Sequence, residues 1–176
     1  MALALSTAIV VPMLAWAAIS DLLYRRISNR LILLLLLLWL PCISWELLQG
    51  RVQPGQMMVS VLTAATVLGF GFLLFTLRWM GGGDAKLIAV LCLWLGKEAF
   101  TFLMVTSIAG GVLAMAVPLV RIVERVLGDG VMQVNARLPR LALPPPTPQA
   151  LSGPTSGMPY GLAIAFGASV VLWGGL

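Results

Sequence analysis

Six apolar runs separated by short polar breaks set the pattern of this chain, at 2–20, 31–48, 57–77, 87–95, 99–120 and 158–176. Most approach or exceed the roughly 20 residues a helix needs to cross a bilayer. The pattern predicts an all-α polytopic membrane protein, a bundle of about six transmembrane helices. Pro12 is placed to kink the first run. Arg51, Pro54 and Gly55 form a turn between the second and third, and Arg78-Trp79 closes the third with an interfacial aromatic. The fourth run is about half a bilayer long before Gly96-Lys97-Glu98. It is expected to start below the membrane surface, which would put its first residues at membrane depth. Gly110-Gly111 permits close helix approach in the fifth.

Hydropathy falls over 121–157. Arg121, Glu124 and Arg125 are expected to extend the fifth helix, and Gly128, Asp129 and Gly130 to end it, with Asp129 a solvated turn residue. The proline-rich stretch 143–148 reads as an extended linker. Residues 1–176 are read as one membrane-embedded domain, with 121–157 as its large loop.

Composition strengthens this picture. Of 176 residues, 60% are hydrophobic and only 10% charged, where a soluble chain carries roughly a quarter charged residues. The net charge of +5 does not indicate a nucleic-acid partner, because the cations gather at span ends. With the N-terminus outside, one face holds Arg25, Arg26, Arg30, Arg78, Lys86, Arg121, Arg125, Arg137 and Arg140, and the other only Arg51 and Lys97. The positive-inside rule makes the first face cytoplasmic. The lipid bilayer is the implied surroundings.

Histidine is absent, which removes His-based acid–base chemistry and His metal sites. Cys42 and Cys92 lie in apolar runs without C-x-x-C spacing, so no metal, cofactor or disulfide framework is expected. Glu46 and Glu98 fall on the outer side as interfacial charges. Two carboxylates remain that are both span-associated and on the cytoplasmic face, Asp21 and Asp84. Their structural reading is an ion pair of Asp21 with Arg25 and an N-cap role for Asp84. Their functional reading is hydrolysis. Like charges held close cannot both ionise, so one carboxylate can deprotonate water while its protonated partner donates to a scissile carbonyl. Gly81-Gly82-Gly83 before Asp84 would let backbone approach an extended substrate.

Three blocks of residues, Asp21 with Arg25-Arg26-Ile27-Ser28-Asn29, then Gly81-Gly82-Gly83-Asp84-Ala85-Lys86, then Pro159-Tyr160-Gly161, resemble those of the type IV prepilin peptidases, G-x-G-D intramembrane aspartyl proteases. The small size resembles the short form that serves Flp-type pili of tight-adherence systems. The resemblance implies that Asp21 and Asp84 are catalytic, with Gly81, Gly82, Gly83 and Lys86 in the active-site loop. Arg25, Arg26, Asn29, Pro159, Tyr160 and Gly161 would support the motif. It implies a prepilin or pseudopilin substrate that loses a short basic leader after a glycine, at the cytoplasmic face of the bacterial inner membrane. Ser28 stands where the family's pattern leads one to expect proline, and is expected to loosen the turn after the first span. The Cys-rich segment of long-form members is missing, and N-methylation is not assigned. Two other classes stay open from the residues alone: an ion-coupled transporter subunit, and a non-enzymatic assembly factor of a pilus or secretion system.

Overall fold

A computed structural model describes residues 2–24, 27–116 and 160–174, with Val123, Leu127, Asp129, Val131 and Met132. The helices are α1 (Ala2–Tyr24), α2 (Asn29–Leu48), α3 (Pro54–Thr76), α4 (Gly82–Leu95), α5 (Ala99–Met115) and α6 (Tyr160–Gly174). A 3-10 turn, Gly96–Glu98, joins α4 to α5. The described residues contain helices and no strand, as the apolar runs predict. Arg25, Arg26, Pro159 and the proline-rich stretch lie outside the described residues.

By length and hydropathy Asn29–Leu48, Pro54–Thr76 and the continuous run Gly82–Met115 can each cross a membrane, while Ile9–Tyr24 and Tyr160–Gly174 are shorter apolar helices. The long run is not one rod. Gly96 takes φ +52°, a conformation that ends α4, and the turn reverses the chain. Gly110 on α5 then lies against Tyr160 at the start of α6, beside the end of the bundle where α4 begins.

The core is built around α4. Ala85 and every residue from Leu87 to Cys92 are buried, as expected of a helix that is apolar on all sides. Leu87, Leu91 and Cys92 share one cluster with Leu14 of α1, Leu35 of α2, Phe102 of α5 and Ile164 of α6. By contrast α2 and α3 turn outward faces such as Leu33, Leu37, Leu62, Phe70 and Phe72 to the surroundings. In lipid these faces carry no cost, since no hydrophobic force separates them from acyl chains.

The antiparallel register of α3 and α4 is fixed by small residues. A Cβ on Gly71 would lie 2.8 Å from the Ala85 Cβ, so the helices meet in near backbone contact there. Phe75, next to the last residue of α3, packs over Gly82, the first of α4. At the other end Gly96 meets Ser60, well inside the start of α3 at Pro54. The start of α4 is thus level with the end of α3, while its far end stops short of the start of α3.

Ser28 N-caps α2, its side chain accepting from the Arg30 N–H at 3.3 Å. Two local expectations change. Asp129 is helical and exposed rather than in a turn, and the helical residues Val131 and Met132 follow it. The Asp84 correction belongs to the site.

Candidate active site

Asp84 is not an N-cap. Gly81 is the N-cap of α4, and Asp84 sits in the first turn, three residues on. From there its carboxyl turns back and hydrogen-bonds the Gly81 backbone, the reach an acidic side chain makes in the third position of a capping box. An acid here also meets the positive end of the helix dipole. Gly81 has an ordinary extended backbone, φ −69° and ψ 138°, so it is not glycine for conformational reasons. It is glycine for room, since a Cβ would lie 2.7 Å from Asp84 Oδ2. A Cβ on Gly82 would lie 3.2 Å from the Phe75 ring, and one on Gly83 would lie 3.1 Å from the Ile27 Cβ. Each glycine of the triad thus accommodates a neighbour within the fold.

Asp21 lies near the end of α1, one of two buried polar residues among those described, at 6% exposure. The buried cost of a carboxylate demands hydrogen bonds or charge. One donor comes from the far end of the chain: the Gly161 N–H, at the start of α6, donates to Asp21 Oδ2 at 2.8 Å. Packing of α1 against α6 and of α4 against both α2 and α6 brings these helix ends together. Asp21 and Asp84 come close enough for the charge of the first to act on the second. They stand as a pair, since among the described residues no three His, Cys, Asp or Glu side chains gather.

Other predicted residues fall around the pair. Lys86 donates its Nζ to Asn29 Oδ1 at 3.3 Å, tying the first turn of α4 to the start of α2. The Tyr160 ring rests on Gly110, where a Cβ would be 3.3 Å from Cε1. Arg25, Arg26 and Pro159 are outside the described residues. Four residues take roles here that their place in the sequence does not announce. Ile27 and Phe75 floor the glycine triad, and Gly71 sets the α3–α4 approach. Arg78 is the fourth. It adopts φ +60° at the end of α3, where its N–H donates to Phe75 O and the Trp79 N–H to Leu74 O, both at 3.0 Å. That is a Schellman closure with an arginine in the position glycine normally fills.

A burial-enforced carboxylate pair at one end of a helical bundle can share a proton and activate water. Compared with known proteins, the sequence profile of the type IV leader peptidase family matches residues 8–115, spanning both aspartates. No curated protein and no solved structure matches the chain.

Proposed function

The chain belongs to the type IV leader peptidase family, and from there we propose that Asp21 and Asp84 form its catalytic dyad. The substrate is a prepilin or pseudopilin of the Flp type, cut after the glycine that ends its short basic leader. The observation that carries the reading is the meeting of the two acids at one end of the bundle, from helices otherwise placed by unrelated contacts.

In the reaction the ionised carboxylate takes a proton from a water between the two acids, and the hydroxide adds to the carbonyl carbon of the leader's last glycine. The protonated carboxyl donates to the carbonyl oxygen. Collapse of the tetrahedral intermediate breaks the C–N bond, and the proton held by the base passes to the leaving amine. The dyad needs no third partner for this cycle. The cations Lys86, Arg30 and Arg78 at the same end as the acids, against Arg51 and Lys97 at the other, support a cytoplasmic active site in the bacterial inner membrane.

A tagged prepilin co-expressed with the chain tests the dyad. Asp21→Asn and Asp84→Asn should each abolish cleavage, and the double variant should be no worse, because the acids act as a unit. Folded yield in detergent should hold, since asparagine keeps the size and the hydrogen-bonding oxygen. If Asp84 served only the helix start, asparagine would serve as well, and full processing by Asp84→Asn would refute the dyad.

A further inference from the structure

Asp21 and Gly161 lie 140 residues apart in sequence and meet in two independent ways. The first is the hydrogen bond from the Gly161 N–H to Asp21 Oδ2. Gly161 is the second residue of α6, so its N–H is one of those that a helix start leaves without an intrahelical acceptor. Inside a membrane bundle such a donor must find an acceptor within the protein, and it finds the carboxylate.

The second is space. A Cβ on Gly161 would lie 2.8 Å from both Cβ and Oδ2 of Asp21 and 3.0 Å from its Cγ. Contacts below 3 Å at the Asp21 Cβ cannot be relieved by turning the carboxylate alone; α1 or α6 would have to shift. The backbone of Gly161 does not itself call for glycine, since the positive-φ glycines among the described residues are Gly50 and Gly96. What calls for glycine is the aspartate.

The seat of α6 is set by other contacts. The Tyr160 ring lies on Gly110, and Thr106 of α5 fills the notch left by Gly167. The start of α6 is therefore anchored to α5 and presents one backbone donor to α1. Gly161 also lies beyond the 8–115 region that the family profile matches.

We propose that Gly161 is the positioning residue of Asp21, its N–H holding Oδ2 and its missing side chain leaving the carboxyl the space in which it faces Asp84. This rests on the reading of Asp21 and Asp84 as the dyad. Gly161 acts through the Asp21 carboxyl rather than on the substrate; it sets where that carboxyl stands.

The test is cleavage kinetics on a tagged prepilin, with the full chain in lipid nanodiscs. Gly161→Ala should lower kcat by about 100-fold, the penalty of an ångström-scale misplacement, and leave KM within about threefold of its starting value. Replacing the Tyr160–Gly161 amide by an ester, with glycolic acid inserted by a suppressor tRNA, removes the donor and adds no atom. It should lower kcat about tenfold, as expected for a hydrogen bond to a charged group, and it decides the matter should Gly161→Ala fail to fold. Trp39→Phe removes the indole donor to Leu93 O at the α2–α4 interface, away from Asp21 and α6, so it should lower the melting temperature and keep kcat within about threefold. Unchanged kcat in the ester, or an equal kcat loss in Trp39→Phe, overturns the positioning role. Asp21→Asn separates the two readings. If it still cleaves, the dyad falls and the positioning role with it. If it is dead while both Gly161 variants keep full kcat, only the positioning role falls.

Discussion

Trp39 and Trp94 exchange hydrogen bonds across the α2–α4 interface. The indole N–H of Trp39 donates to Leu93 O and that of Trp94 to Leu35 O, both at 3.1 Å. Leu93 lies in the last turn of α4, where carbonyls lack helical partners. Each tryptophan thus caps or bridges the helix that carries the other, well away from the aspartates.

This clasp predicts a stability effect without a catalytic one. Trp39→Phe and Trp94→Phe keep the ring and lose the donor, so each should cost about 1 kcal/mol. Thermal unfolding in detergent reads the loss, and prepilin cleavage should stay near wild type. A double-mutant cycle should give a coupling of about 0.5 kcal/mol or more, as for residues that share one contact.

The glycine triad predicts unequal tolerance. In Gly81→Ala the new methyl meets Asp84 Oδ2, the movable end of a side chain. The fold should survive and the carboxyl should be displaced, with cleavage reduced about tenfold or more. In Gly82→Ala the methyl meets the edge of the Phe75 ring rather than a carboxyl, and cleavage should stay within about twofold, the scale of an ordinary surface change. Equal losses in both would show that the triad serves backbone flexibility rather than room for Asp84.

Arg78 predicts a gain. A left-handed backbone costs an L-residue about 1–2 kcal/mol, and glycine escapes it. Arg78→Gly should raise the melting temperature while keeping the two closing hydrogen bonds of α3. The reverse change at Gly50, which takes φ +66° in the matching closure of α2, should lower it: Gly50→Ala should cost about 1 kcal/mol.

Orientation is checked by labelling. With Cys42 and Cys92 replaced by alanine, single cysteines at Gln49 and Gln149 should react with a membrane-impermeant maleimide from opposite sides. Reaction of both from the outer side would place the dyad on the wrong face of the membrane.

Much of the fold was legible because long apolar runs leave a chain few choices in lipid. Helix boundaries followed from Pro54, Gly96 and the polar breaks. The misreadings have local causes. Asp84 was read as a cap because it is a good capping residue, but glycine also caps, and Gly81 comes first. Asp129 was expected in a turn because of the glycines beside it in sequence, yet it is helical. The family pattern does not encode the N-cap role that the Ser28 hydroxyl takes on α2. The site's motif residues were legible, but not which of them touch. The bonds from Gly161 to Asp21, Lys86 to Asn29 and Trp39 to Leu93 join residues 140, 57 and 54 positions apart, and no local spacing encodes them.

The short α4 has a consequence for the membrane as an insulator. Between Asp84 and Gly96 the helix climbs only about 18 Å at 1.5 Å per residue, little more than half of a hydrocarbon layer roughly 30 Å thick. Helix α4 alone does not reach across such a layer, and what surrounds it is side-chain packing rather than lipid, with Leu87, Leu91 and Cys92 showing no exposed surface. A hole opened at Leu91 would therefore be a breach in the cell's electrical seal as well as a loss of fold stability.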